Sequence, residues 1–143
     1  MCSRMAVIEV PRQYGYCVLV ATGSSFMLLW KAMKVGHLRR RLNFKYPAVY
    51  SPDNNLFNCY QRAHQSTLET YPTFLMLLLL GGLHNPVVSA VGGAIWCAGR
   101  VIFALGYYTG DPRKRTRGNF GFCGLIAMLY CTGRLATGLL GWF

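Results

Sequence analysis

The chain has 143 residues, of which 53% are hydrophobic and only 13% are charged. A soluble domain usually carries about a quarter charged residues, so this composition excludes an ordinary soluble domain and indicates a protein that lies largely in lipid. The formal net charge is +11. Most of the positive charge lies in two short runs between apolar stretches, which is typical of topology signals and lipid-headgroup contacts rather than of a nucleic-acid surface. We therefore expect membrane lipids as partners and no nucleic acid.

The apolar stretches predict four membrane-spanning helices in a single domain that covers residues 1–143. The first stretch carries no charge over residues 14–30, and we expect the long side chain of Lys31 to reach from its end toward the membrane surface. The second apolar run, residues 71–83, is too short to span alone and is interpreted as the end of a longer helix that begins near Asn55. The predicted spans are residues 14–32, 55–83, 86–108 and 119–143.

The links between the spans predict the orientation. The first and third links carry the basic runs, whereas the second link, over residues 81–86, is interpreted as a short uncharged turn. Lysine and arginine favour the cytosolic side of a membrane. Both basic links are therefore expected in the cytosol.

Three polar residues share one face of the second predicted helix. Arg62, Ser66 and Glu69 are spaced at i, i+4 and i+7. Such a stripe has three interpretations. Its charged residues form an ion pair that joins helices, this part of the helix projects into water, or the stripe lines a pocket for a polar ligand. In a pocket, Arg62 would bind a carboxylate and Glu69 an ammonium group, which together suit an amino-acid-like or peptide ligand.

The third predicted helix carries a second stripe, formed by Arg100, Phe103 and Tyr107. An aromatic stripe is more often packing than a ligand site. The basic run at residues 113–117 is most simply a topology signal, but one of its arginines could alternatively point into a pocket and stabilise a thiolate. The run at residues 39–41 has the same two interpretations.

The six cysteines predict neither a metal site nor a disulfide framework. They form no matched CxxC pairs. Four of them lie within apolar runs, where cysteine usually packs as a small hydrophobic residue. We therefore expect no metal.

Residues 57–72, with the sequence FNCYQRAHQSTLETYP, resemble the signature of the MAPEG membrane proteins of eicosanoid and glutathione metabolism. Residues 45–51, KYPAVYS, and 106–112, GYYTGDP, together with the basic run that follows, resemble the branch of the type 3 microsomal glutathione S-transferases. The similarity extends over nearly the whole chain.

The resemblance implies an all-α, integral membrane four-helix bundle that assembles as a homotrimer in the endoplasmic reticulum membrane or the mitochondrial outer membrane. It implies glutathione as co-substrate, bound at subunit interfaces near the cytosolic side. An arginine then activates the thiol, which conjugates lipid electrophiles, as a leukotriene C4 synthase does, or reduces lipid hydroperoxides as a peroxidase. The alternatives are a non-catalytic protein that binds arachidonate or another lipid, and an unrelated structural membrane protein.

Matched residue by residue, the resemblance implies that Arg115 activates the thiol, with Arg113 and Arg117 as alternatives because this loop varies in length. Ser66 stands where the family usually has asparagine, so this position keeps a hydroxyl but lacks an amide that both donates and accepts. Phe103 stands where some relatives have tyrosine or histidine, so that position loses a polar group. The residues matching glutathione contacts are Arg39, Arg40, Arg62, Ser66, Glu69 and Tyr107.

Overall fold

The computed structural model describes residues 5–142, which form five helices and no strand. The all-α prediction is therefore confirmed for this part of the chain. The four long helices are α1, Tyr14–Arg41, α2, Asn55–His84, α3, Pro86–Tyr108, and α4, Gly121–Leu139. A 3-10 helix, Pro112–Gly118, lies between α3 and α4. Phe143, the predicted end of the fourth span, lies outside the described residues.

Within residues 5–142, the helices α1, α3 and α4 are long and apolar enough to cross a membrane. The chain is therefore a membrane protein. Helix α2, whose first half carries the polar stripe, is not among them, although it begins at Asn55 as the sequence predicts. A membrane crossing by α2 therefore stays a prediction.

Asparagine side chains determine where α2 and α3 begin. The side chain of Asn54 accepts a hydrogen bond of 2.9 Å from the backbone N–H of Phe57. Asn85 accepts one of 3.2 Å from the backbone N–H of Val88, and Pro86 occupies the first turn of α3. Both are typical N-terminal signals, because they satisfy backbone donors that have no partner within the helix.

The predicted turn at residues 81–86 is wrong in its first part. Helix α2 continues through Gly81 and Gly82 to His84, so that Asn85 alone separates it from α3. A Cβ atom at Gly82 would lie 2.6 Å from the Sγ of Cys17. These glycines therefore serve the close packing of helices rather than a turn.

The core lies between the four long helices. Helix α1 packs on α2 and α3, while α4 packs on α2 and α3 from the other side. The rings of Phe74 and Trp96 stack at its centre with their centroids 4.1 Å apart. The buried residues of this core are Cys17, Met27, Phe74, Leu77, Leu78, Ala90, Trp96 and Met128.

Glycines bring α3 and α4 into backbone contact. A Cβ atom at Gly124 would lie 2.1 Å from the carbonyl oxygen of Gly92, and one at Gly99 would lie 2.7 Å from the Cα of Gly121. Small residues at helix contacts are typical of membrane proteins, where close van der Waals packing replaces the hydrophobic effect as the force between helices.

Gly124→Ala is expected to destabilise the protein by about 1–3 kcal/mol, because the added methyl group overpacks the contact between α3 and α4. The measurement is thermal unfolding in detergent. Gly133→Ala is the matched control on the same helix, since its added Cβ would have no other atom within 4 Å. Equal melting temperatures for the two variants would contradict this account of the helix contact.

Candidate functional site

The two basic links meet at one end of the helices, which we call the basic end. Trp30 of α1, Tyr60 of α2 and Tyr108 of α3 pack together there. The ring of Tyr108 lies 4.2 Å from that of Tyr60 and 5.8 Å from that of Trp30, measured between centroids. The last turn of α1 carries the first basic run, and the 3-10 helix carries the second.

The stripe on α2 contains an ion pair at this end. Nη1 of Arg62 lies 2.8 Å from Oε1 of Glu69, and the side chains are 43% and 60% exposed. The pair therefore lies along α2 itself and does not join two helices within the chain. An exposed pair contributes only about 0–1 kcal/mol to stability, so both charges are accessible to a ligand at little cost.

A buried arginine connects the stripes on α2 and α3. Nη2 of Arg100 donates a hydrogen bond of 3.0 Å to the hydroxyl of Ser66. The guanidinium carbon of Arg100 lies 4.0 Å from the centroid of the Phe103 ring, a distance at which a cation is attracted to the aromatic face. The structure thus brings together the two stripes that the sequence predicts separately.

Lys31 and Thr67 belong to the same buried cluster, and neither is among the site residues predicted from the sequence. The amine of Lys31 donates hydrogen bonds of 2.6 Å to the Oγ1 of Thr67 and 3.0 Å to the backbone carbonyl of Arg100. The prediction that Lys31 reaches toward the membrane surface is wrong, because these oxygens satisfy its amine inside the protein. One signal was available: Lys31 continues the helical spacing of the buried residues Met27 and Val35.

Arg115 on the 3-10 helix reaches the other end of the α3 stripe. Its Nη1 donates a hydrogen bond of 3.2 Å to the hydroxyl of Tyr107, which is buried. All three arginines of this run are exposed, and the side chain of Arg113 lies 3.5 Å from the carboxylate of Asp111. Among the three arginines considered from the sequence, Arg115 is the one held against Tyr107.

The 3-10 helix lies close on α3 because glycine faces it. A Cβ atom at Gly106 would lie 2.3 Å from the carbonyl oxygen of Lys114 and 2.9 Å from the backbone nitrogen of Arg115. The absence of a side chain next to Tyr107 therefore lets the backbone that carries Arg115 approach α3.

A charged cap begins the 3-10 helix. The carboxylate of Asp111 accepts a hydrogen bond of 3.0 Å from the backbone N–H of Arg113. This bond, with the nearby Arg113 and Lys114 charges, holds the pKa of Asp111 below its ordinary value. Asp111 therefore remains ionised at neutral pH, when the carboxylate is the better acceptor at a helix N-terminus.

Arg39 and Arg40, the two arginines of the first basic run that are predicted to contact glutathione, make contacts away from the polar stripes. Arg39 is buried, and Arg40 is exposed with its Nε 3.4 Å from the carbonyl oxygen of Gly36. The guanidinium carbon of Arg39 lies 4.2–5.0 Å from the centroids of three aromatic rings, those of Phe44, Tyr46 and Phe57. A role of either arginine in binding a ligand stays a prediction.

Within residues 5–142, no three His, Cys, Asp or Glu side chains come together as a metal site.

The fold and the site define a helical membrane protein with a cationic, hydroxyl-bearing site at the basic end. Comparison with known proteins specifies the class further. The model of the MAPEG family matches residues 17–137. The chain belongs to the MAPEG family, which confirms the resemblance seen in the sequence.

Two curated relatives show how far this similarity extends. An uncharacterized protein of Synechocystis sp. is 30% identical over 118 residues, which cover 82% of this chain and 83% of the relative. Human microsomal glutathione S-transferase 2 is 32% identical over 106 residues, which cover 73% of this chain and 69% of the human protein. Assignment to the type 3 branch stays a prediction.

Gly106→Ala is expected to loosen the 3-10 helix from α3. Overpacking costs about 1–3 kcal/mol, and a loss of about 1.4 kcal/mol corresponds to a tenfold change in an equilibrium. Trypsin should therefore cut the Lys and Arg bonds of residues 113–117 roughly tenfold faster, because the segment opens more often. Gly23→Ala on α1 is the control, since its Cβ would have no other atom within 4 Å. An unchanged rate of cleavage in Gly106→Ala would refute the role given to Gly106.

Proposed function

We propose that this protein is a membrane-bound glutathione transferase that activates the thiol of glutathione and transfers it to lipid-soluble electrophiles. The observation that carries the proposal is the guanidinium of Arg115, held at 3.2 Å by the buried hydroxyl of Tyr107. It lies at the same end of the helices as the Arg62–Glu69 pair. Membership of the MAPEG family and the similarity to human microsomal glutathione S-transferase 2 support glutathione as the co-substrate.

The α2 stripe suits the ends of glutathione, which carries two carboxylates and one ammonium group. Arg62 binds a carboxylate and Glu69 binds the ammonium, so the ligand replaces the exposed ion pair between them. Ser66 accepts one hydrogen bond from Arg100. A hydroxyl has one donor and two acceptor positions, so Ser66 can still donate to the ligand. We propose Arg39 and Arg40, at the same end, as further contacts of glutathione.

Arg115 activates the thiol of glutathione. A guanidinium near the sulfur favours the thiolate over the thiol, and each unit by which the pKa of the thiol falls corresponds to about 1.4 kcal/mol. The sulfur lone pair then forms a bond to an electrophilic carbon, while the carbon–oxygen bond of an epoxide breaks and its oxygen takes a proton from water. With a lipid hydroperoxide, two glutathione molecules give the disulfide, an alcohol and water.

The site suits substrates that arrive from the bilayer. The helices α1, α3 and α4 are apolar enough to lie in lipid, so an apolar electrophile such as leukotriene A4 reaches the thiolate without entering bulk water. Arg62 and Glu69 face outward from the single chain, which supports a site completed by a neighbouring subunit of a homotrimer. We place the protein in the endoplasmic reticulum or mitochondrial outer membrane, with the basic end in the cytosol.

Arg115→Ala is expected to abolish the ultraviolet absorbance of the thiolate that appears when glutathione is added to the detergent-solubilised protein. Each unit by which the pKa of the bound thiol rises lowers the thiolate population about tenfold at neutral pH. Arg117→Ala is the matched control and should keep the signal. The reverse result would show that Arg117 activates the thiol. If the wild-type protein shows no thiolate signal and neither conjugating nor peroxidase activity, the proposed enzymatic function is refuted. That result would favour the alternative of a non-catalytic lipid-binding protein.

Glu69→Gln is expected to remove the preference of the protein for glutathione over N-acetylglutathione, whose amine is blocked. The wild type should bind glutathione more tightly by about tenfold, because a charge-assisted hydrogen bond is worth roughly 1.5–3 kcal/mol. Calorimetric titration in detergent measures both affinities. The position of the thiolate titration should not change, since Arg115 is intact. A preference that survives in Glu69→Gln would place the ammonium group elsewhere.

A further inference from the structure

The hydroxyl of Thr67 has every hydrogen-bonding position filled. It accepts hydrogen bonds of 2.6 Å from the amine of Lys31 and 3.1 Å from the Nε of Arg100. It donates one of 3.1 Å to the carbonyl oxygen of Ala63. Because a hydroxyl has one donor and two acceptor positions, this side chain cannot accept from a third donor without losing Lys31 or Arg100.

The amine of Lys31 joins three helices. It extends from α1, contacts Thr67 on α2 and, at 3.0 Å, contacts the backbone carbonyl of Arg100 on α3. Lys31 and Thr67 are fully buried, and Arg100 is nearly so. A displacement of Lys31 would therefore leave both oxygens without this donor. One of them, the Oγ1 of Thr67, also accepts the hydrogen bond from the side chain of Arg100.

Within residues 5–142, neither Lys31 nor Arg100 forms an ion pair with a carboxylate, and Glu69 of the α2 stripe is paired with Arg62. Neutral oxygens hold Lys31, and neutral oxygens together with the ring of Phe103 hold Arg100, in a region where a charge is costly. These few contacts therefore decide where the guanidinium of Arg100 lies.

The cluster ends at the ligand-binding stripe. Nη2 of Arg100 donates to the hydroxyl of Ser66 at 3.0 Å, and Ser66 lies between Arg62 and Glu69 on one face of α2. We infer that Lys31 is a positioning residue for glutathione binding, which acts through Thr67 and Arg100 on the orientation of Ser66. This inference rests on the proposed function and adds α1 to the elements that form the site.

The role of Lys31 is separate from activation of the thiol. Arg115 is held by Tyr107 and by the 3-10 helix, and neither contact involves Lys31. The loss of Lys31 should therefore weaken the binding of glutathione and leave the thiolate titration of bound glutathione where it was. A general loss of fold would change both together with the melting temperature.

The first test compares Lys31→Met with Lys34→Met in the full-length protein in detergent. Methionine keeps the length of the side chain and removes the donors, whereas Lys34 is exposed on the same helix. Calorimetric titration with glutathione should show a tenfold or greater rise in Kd for Lys31→Met and less than a twofold change for Lys34→Met. The thiolate midpoint at saturating glutathione should be the same in both. An unchanged Kd in Lys31→Met, or a shifted midpoint, would overturn the inference.

Thr67 provides a second test that does not depend on the folding of Lys31→Met. Thr67→Val removes the shared hydroxyl at nearly constant shape and should raise Kd by a similar factor, whereas Thr67→Ser should restore wild-type binding. Lys31→Met and Thr67→Val combined should bind no more weakly than the weaker single variant, because both break one chain of hydrogen bonds. Additive losses, or a failure of Thr67→Ser to rescue, would overturn the inference. A wild-type protein that does not bind glutathione would instead overturn the proposed function, and this inference with it.

Discussion

Hydrogen-bond donors buried among apolar helices need polar partners, and here one hydroxyl serves two basic side chains. Thr67 accepts from both Lys31 and Arg100, and these contacts hold α1, α2 and α3 together at the basic end. Because Lys31 is fully buried and Arg100 nearly so, the cost of leaving either donor without its acceptor is high. The register of the three helices, and with it the relative positions of the two polar stripes, depends on this cluster.

Helix α3 also packs closely against α4 and the 3-10 helix, and this packing depends on glycines, which have no side chain. Gly92 and Gly99 bring α4 against α3, and Gly106 brings the 3-10 helix against the turn that carries Tyr107. Helix α3 is therefore held by hydrogen bonds on one side and by backbone contact on the other. Arg100 and Tyr107, seven residues apart on this helix, are positioned by these two different kinds of contact, and the ring of Phe103 lies against both.

Spacing in the sequence was sufficient to predict the two stripes, because residues at i, i+4 and i+7 share a helix face wherever the helix lies. For Lys31 the spacing with Met27 and Val35 competes with its place at the end of a charge-free run, which is as typical of a side chain that reaches the membrane surface as of a buried one. The glycines at 81 and 82 misled in a similar way, since glycine marks both turns and close helix contacts. The aromatic rings around Arg39 come from three separate positions, and only folding brings them together.

The sequence by itself determined that the protein is helical, lies in a membrane and belongs to the MAPEG family, because composition, periodicity and a contiguous motif are local properties of the chain. Only the tertiary structure decided which cation contacts which oxygen. It placed Arg115 rather than Arg113 against Tyr107 and joined Lys31 to Arg100 through Thr67. Hydrogen bonds act over about 3 Å, and residues separated by tens of positions reach that distance only when the helices that carry them have packed.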